Sequence, residues 1–163
     1  MSNAISITKL LEEVDVILDL SVSSKKRLFE AIGLNVESRY DIPRSETFNA
    51  LFARERLGST GIGHGIALPH GKLSTLKRYV GVFARLSNAI QFESSDGEPV
   101  SMIFALLTPE IKQQHQHLIY LSHLAKIFNN KNNRELLHSS SKKSQVIQIL
   151  RDSNGESFDQ DAL

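Results

Sequence analysis

Apolar residues recur in the first quarter of the chain with the spacing of an amphipathic helix. Leu28, Ile32 and Val36 lie four residues apart, so they share one face of a helix. Ser21 or Ser23 precedes this face and provides an N-cap, because a serine oxygen accepts a bond from a free N–H of the first turn. The pattern therefore predicts a helix that buries one side in a core.

Further helices are predicted on either side of a central region rich in strand signals. Pro43 separates the first helix from a second one that Ser45 caps. The longest helix covers 114–130, and we expect four of its residues to face the core: Leu118, Leu121, Ala125 and Phe128. Shorter helices are predicted over 132–138 and after Ser141.

The strand signals are short apolar runs bounded by turn residues. Residues 16–18 and 79–86 are rich in β-forming side chains, and 66–70 has the character of an extended segment. The run 100–108 is almost continuously apolar, as a central strand covered on both faces would be. Strands mixed with helices on both sides of a sheet predict an α/β domain.

Composition excludes several classes of protein. Of the 163 residues, 40% are hydrophobic and 23% charged, which is typical of a soluble globular domain. The absence of cysteine excludes disulfides, cysteine-ligated zinc and a cysteine nucleophile. The net charge of +1 is too small, and the basic residues too scattered, to indicate nucleic-acid binding. We see neither a signal peptide nor a run long enough for a membrane span, so we expect no membrane insertion and a cytoplasmic protein.

Charge is unevenly distributed at the carboxyl end. The last twelve residues hold four acidic side chains and no basic one. We therefore predict one domain over residues 1–151 and an acidic, disordered tail over 152–163.

The segment 57–71 differs from the rest of the chain because it holds five of the nine glycines. It matches neither a Walker loop nor the G-x-G-x-x-G pattern of dinucleotide sites. The hydroxyls of Ser59 and Thr60 and the glycine-rich backbone nevertheless supply donors near His70. Together with Arg54, these donors would suit a dianion.

His70 is flanked by Pro69 and Gly71, a setting that presents an imidazole at the end of an extended segment. On the predicted long helix, His115 and His117 point in nearly opposite directions, so at most one faces His70. His117 shares its side with core-like leucines and is therefore the better candidate.

The segment 54–72, with the sequence RERLGSTGIGHGIALPHGK, resembles the active-site segment of the EIIA domains of the bacterial phosphotransferase system. The resemblance is to the fructose, mannitol and nitrogen-regulatory type and extends over about 7–150. It implies a single domain in which helices flank a mixed sheet.

The resemblance also implies the roles of the site residues. His70 is the residue expected to carry the phosphoryl group, as a tele-phosphohistidine. Arg54 and His117 are expected to contact the phosphoryl oxygens, and Ser59, Thr60 and Gly61 are candidates for the same task. One position departs from the nitrogen-regulatory pattern, where asparagine is frequent and this chain has His64.

The leading hypothesis is a phosphocarrier of the nitrogen-regulatory branch. The resemblance implies an HPr-like donor, NPr, and regulated target proteins such as transporters or kinases, with no metal or nucleotide cofactor. The protein would then be a phosphotransferase component rather than a free-standing enzyme. The absence of cysteine and of an attached membrane section favours this branch over the alternative, a separate sugar-specific EIIA that passes its phosphoryl group to an EIIB.

Two further hypotheses belong to other classes. A metallohydrolase would need three ligands around an open position, and His64, His70 and His117 are the candidates. A binding module with an inert His70 is the other alternative.

Overall fold

A computed structural model describes residues 3–110 and 115–161, and the side chains of 7–110 and 115–153. Its helices are α1 (Asn3–Glu12), α2 (Lys25–Tyr40), α3 (Arg44–Glu55), α4 (Gln116–Asn129), α5 (Lys131–Ser139) and α6 (Lys143–Asp161). Its strands are β1 (Asp15–Leu20), β2 (Gly61–Gly63), β3 (Ile66–Ala67), β4 (His70–Leu73), β5 (Val80–Ile90) and β6 (Val100–Pro109). None of the helices in the described part of the chain is long and apolar enough to cross a membrane.

The strands form one mixed sheet in the order β1-β5-β6-β3-β2, and β4 also pairs with β6. β5 and β6 are antiparallel, whereas β1 pairs in parallel with β5, and β3 and β4 pair in parallel with β6. β6 thus lies in the interior of the sheet, where both of its faces are covered. This burial accounts for the continuous apolar run in its sequence.

Two hydrophobic cores cover the two faces of the sheet. One core packs α2 and α3 against the sheet through residues that include Leu28, Phe29 and Leu51. The other packs α1, α4, α5 and α6 against the opposite face, and includes Phe83, Phe104 and Phe128. Burial of each side chain of this size stabilises the folded state by about 1.5–3 kcal/mol relative to exposure to water. The predicted fold class, a mixed sheet flanked by helices, is confirmed.

β3 and β4 follow one another along the same side of β6. Ile66 is opposite Met102 and His70 is opposite Leu106, with Pro69 between the two short strands. The Pro69 carbonyl accepts the backbone N–H of Leu106 at 2.9 Å, so the connection is itself bonded to β6. The backbone of residues 66–70 is therefore held by hydrogen bonds to β6, and this fixes the position of His70.

The orientation of α4 differs from the prediction in part, because Phe128 is buried and Leu121 and Ala125 pack against the core, but Leu118 does not. Tyr120, Leu124, Ile127 and Phe128 are its buried residues, whereas Leu118 is 54% exposed. Residues 118–121 are apolar all round, so periodicity alone did not select a face. The aromatic contacts select it, because the Tyr120 ring meets that of Tyr79 at 4.6 Å. Residue 114, the predicted start of this helix, lies outside the described residues.

Two predicted caps are also wrong. The N-cap of α2 is Ser24, whose Oγ accepts the backbone N–H of Arg27 at 3.2 Å, rather than Ser21 or Ser23. α3 begins at Arg44, directly after Pro43, so Ser45 lies inside the helix.

The carboxyl-terminal segment is not separated from the domain at residue 151. Helix α6 continues to Asp161, which gives helical backbone to most of the segment predicted as a disordered tail. Ser153 is buried, and its Oγ donates to the Ile149 carbonyl at 2.6 Å. Packing of the last helix therefore continues past the predicted boundary at least to Ser153.

Candidate functional site

His70 begins β4, at a point where α3 packs closely against that strand. Gly71 makes this approach possible, because a Cβ at position 71 would lie 2.9 Å from the backbone carbon of Ala50. Arg54 follows Ala50 by one helical turn and is thereby brought to the imidazole of His70. The Pro-His-Gly setting seen in the sequence thus has a packing reason.

Two hydrogen bonds fix the His70 ring. Its Nδ1 lies 3.0 Å from the Leu68 carbonyl oxygen, which only accepts, so Nδ1 carries the proton. Its Nε2 lies 3.1 Å from Nε of Arg54, which only donates, so Nε2 holds a lone pair. The neutral imidazole is therefore held in the tautomer whose nucleophilic nitrogen is Nε2.

The electrostatic surroundings favour this neutral form. Burial of the ring lowers the pKa of His70, and the positive charges of Arg54 and His117 lower it further. The Leu68 carbonyl and the Glu55 carboxylate act in the opposite direction on the pKa but do not outweigh the burial. His70 is therefore neutral, and available as a nucleophile, at pH 7.

Arg54 links the imidazole to the glycine-rich loop. While its Nε donates to His70, its Nη1 donates to the Gly58 carbonyl at 2.8 Å. A guanidinium held at two points keeps its remaining N–H groups in a fixed fork. This fork lies directly beside the His70 nucleophile.

His117 lies in the first turn of α4 and is half-buried. Its positive charge is one of the causes that lower the pKa of His70. His115 precedes the helix and is exposed. The structure brings Arg54 into hydrogen-bond contact with His70. His117, in the first turn of α4, stays a predicted member of the site.

The hydroxyls of Ser59 and Thr60 and the backbone N–H groups of Thr60 and Gly61 form hydrogen bonds within the protein. The Ser59 hydroxyl donates to the Phe92 carbonyl at 2.6 Å and accepts the Gly61 N–H at 3.1 Å. Thr60 is buried, and both its hydroxyl and its N–H bond to Glu55. These four donors shape the loop and, in this arrangement, are already used by the protein.

Glu55 and Lys25 are site residues that the sequence reasoning did not identify. Glu55 ends α3, with its side chain only 4% exposed, and pairs with Lys25 from α2 at 2.9 Å. The signal in the sequence was the spacing of Glu55, which lies three or four residues after the apolar Leu51 and Phe52 and so shares their side of the helix. A charge there needs a buried partner, and the partner lies 30 residues away.

His64 is remote from the other histidines. It forms the turn between β2 and β3 with a left-handed φ of 57°, a conformation in which asparagine and histidine are enriched. His70 lies four strand positions beyond Ile66, which amounts to about 13 Å in the direction away from that turn. Within residues 3–110 and 115–161, no group of three or more metal-ligating side chains is placed to hold an ion. The three histidines therefore do not form the ligand set of a metallohydrolase.

Comparison with known proteins identifies the family to which this geometry belongs. Residues 9–153 match the family model described as the phosphoenolpyruvate-dependent sugar phosphotransferase system, EIIA 2. The nitrogen regulatory protein of Escherichia coli (strain K12) is 42% identical over 134 residues, which is 81% of either chain. The nitrogen regulatory protein of Bradyrhizobium diazoefficiens is 34% identical over 144 residues, 88% of this chain and 94% of its own.

Solved structures agree with these sequence matches. The nitrogen regulatory protein IIA-Ntr from Neisseria meningitidis superposes with a TM-score of 0.79 at 42% identity, covering 88% of this chain and 98% of its own. IIA mannitol from Escherichia coli, at 17% identity and a TM-score of 0.69, shares the fold over 85% of this chain and 96% of its own. The chain belongs to the type 2 EIIA family of the phosphoenolpyruvate-dependent sugar phosphotransferase system, and within it is similar to the nitrogen regulatory proteins.

Proposed function

We propose that this protein is a nitrogen-branch phosphocarrier that accepts a phosphoryl group on Nε2 of His70. The observation that supports this role most strongly is the tautomer of His70, whose Nε2 lone pair lies beside the Arg54 guanidinium. The identity to nitrogen regulatory proteins supports the choice of this branch over a sugar-specific EIIA.

The chemical step is an in-line transfer between two imidazoles. The Nε2 lone pair of His70 forms the new N–P bond while the N–P bond of the donor's phosphohistidine breaks. The donor reacts with its ring protonated, so it leaves as neutral imidazole. His70 becomes a phosphoimidazolium whose proton stays on Nδ1 and is donated to the Leu68 carbonyl. No proton has to be removed from the nucleophile.

Arg54 and His117 have the task of stabilising the transferred group. Arg54 Nε donates to the lone pair before reaction, and that bond must pass to a phosphoryl oxygen as the N–P bond forms. Its Nη1 bond to Gly58 keeps the guanidinium in place during this exchange. His117 donates a second bond from the first turn of α4. Such preorganised donors lower the barrier because they need no rearrangement at the moment of transfer.

We further propose NPr, an HPr-like protein, as the donor, and regulated proteins such as transporters or kinases as the targets. The output is a change of surface charge at His70, where a neutral ring gains a dianionic phosphoryl group. A target whose surface is complementary to one of the two forms is therefore bound in one state and released in the other.

The experiment that tests this function is reconstitution with labelled phosphoenolpyruvate, the first enzyme of the system and NPr. We expect acid-labile label on the protein, and none when NPr is omitted. The absence of label with an active donor mixture would contradict the phosphocarrier role. Transfer onward to an EIIB would instead support the sugar-specific alternative.

A further inference from the structure

We propose that Thr60, Glu55 and Lys25 form a positioning network that holds the Arg54 guanidinium on His70. None of the three forms a hydrogen bond with the imidazole. Glu55 acts on the pKa of His70 through its charge as well, so the test must leave the charges unchanged. The effect on phosphoryl transfer rests on the proposed function, whereas the effect on the geometry of His70 does not.

The first element of the network is the bond set between Glu55 and Thr60. The Glu55 carboxylate accepts the backbone N–H of Thr60 at 3.1 and 3.2 Å and its hydroxyl at 2.5 Å. These bonds close the turn that leads from the end of α3 into the glycine-rich loop. The turn is thereby fixed to the last residue of the helix that carries Arg54.

Gly58 lies inside this closed turn, and its carbonyl is the second point at which Arg54 is held. If the turn opens, that carbonyl moves and the guanidinium keeps only its bond to His70. A single hydrogen bond leaves the planar group free to rotate, so its alignment with Nε2 is lost. The closed turn is therefore the support on which Arg54 is aligned.

Lys25 holds the network from the opposite side. It donates to Glu55 at 2.9 Å, and its ammonium lies 4.7 Å from the centre of the Phe92 ring. The carbonyl of Phe92 accepts a hydrogen bond from the Ser59 hydroxyl. Ser59, which follows Gly58 in the loop, is thereby bonded to the same residue that Lys25 contacts. A buried ion pair adds little stability compared with an apolar pair of the same volume. We therefore assign this pair the task of fixing the loop.

The sharpest test is Thr60→Val, which removes the hydroxyl without changing charge or shape. Its matched control is Thr47→Val on α3, because Thr47 is fully buried and its hydroxyl has no partner among the described residues. Both variants exchange a buried threonine for valine, and only the first one removes a hydrogen bond of the network, the bond from the Thr60 hydroxyl to Glu55.

The readout that needs no phosphoryl donor is an NMR titration of the His70 ring. Arg54 and burial both hold the pKa of His70 down, so loss of alignment raises it. We expect the pKa of His70 to rise in Thr60→Val, to stay unchanged in Thr47→Val and to return in Thr60→Ser. A loss of stability alone would not move the pKa in the folded protein.

The second readout is the rate of phosphorylation by NPr. We expect Thr60→Val to lower it by about ten- to a hundredfold, as misplacement of a positioning group does, and Thr60→Ser to restore most of it. If Thr60→Val does not fold, Thr60→Ala removes the same hydroxyl without changing any charge, with the same rise in the His70 pKa expected.

The outcomes separate the two proposals. An unchanged pKa of His70 in Thr60→Val, or in Thr60→Ala if Thr60→Val does not fold, overturns the positioning role. An unphosphorylated wild-type protein overturns the proposed function, while the titration still tests whether the network positions Arg54.

Discussion

Replacing Gly71 by alanine tests whether the close approach of α3 to β4 creates the site. The new Cβ would lie 2.9 Å from both the backbone carbon and the Cβ of Ala50, and 3.1 Å from its carbonyl oxygen. Carbon atoms in contact prefer about 3.5–4.0 Å, so the helix must retreat by about 0.6–1.1 Å. The nearest obstacle is backbone, which no side-chain rotation relieves.

The size of the effect follows from the position of Arg54. It lies four residues beyond Ala50 and therefore moves with the helix. Its Nε is 3.1 Å from Nε2 of His70, so a retreat of this size carries the pair beyond hydrogen-bond distance. We expect the free energy of unfolding to fall by about 1–3 kcal/mol, as overpacking costs. We expect the rate of phosphorylation to fall by about a hundredfold.

The matched control is Gly33→Ala, whose Cβ would lie 2.8 Å from the carbonyl oxygen of Arg44. This clash is also with backbone, but it lies between α2 and the opposite end of α3. Urea unfolding and single-turnover phosphorylation by NPr should be measured on both variants. We expect similar losses of stability and a much smaller loss of rate in Gly33→Ala. Equal rates in the two variants would refute the link between helix approach and phosphoryl transfer.

Three other predictions concern the site itself. Arg54→Ala should fold and slow transfer by about 10²–10³-fold, with only partial rescue by Arg54→Lys; a rate within twofold of wild type removes Arg54 from the site. His117→Ala should impair transfer, His117→Gln should retain part of it, and His115→Ala should change almost nothing; the reverse order of damage would mean that His115 faces the site. The pKa of His70 is lowered, so its ring stays neutral as the pH falls through the ordinary histidine value of about 6.5. The rate of phosphorylation, measured at a fixed concentration of phosphorylated donor, should therefore fall only below that pH. A fall centred at or above it would contradict the neutral nucleophile.

The spacing of apolar residues correctly predicted those helices and strands that have only one possible buried side, or that are buried on both sides. Leu28, Ile32 and Val36 are all fully buried on α2, and the apolar run 100–108 lies within β6. These predictions were correct because a strict period, or a run with no polar interruption, has one packing solution. α4 offers apolar residues on several sides, and the contact of Tyr120 with Tyr79 decides its orientation. Such a contact between distant segments is not encoded in local spacing.

The same distinction applies to the site. His70 and Arg54 were indicated by a motif in which the residues are close in sequence. Ser59 and Thr60 look like phosphoryl ligands in the same motif, but their hydroxyls donate to Phe92 and Glu55. A sequence does not show which acceptor a serine or threonine hydroxyl will bind in the folded protein. The buried Glu55 was missed for a related reason, because its cation comes from another helix.

The central claim is that Nε2 of His70 is the nitrogen that receives the phosphoryl group. The most direct measurement is heteronuclear NMR of the ¹⁵N-labelled protein, phosphorylated by the donor system, with phosphorus-to-nitrogen coupling to identify the atom. We predict a single coupling to Nε2 of His70, with Nδ1 still protonated towards the Leu68 carbonyl, and no signal in His70→Ala. Coupling to Nδ1, or to a nitrogen of another histidine, would contradict the account.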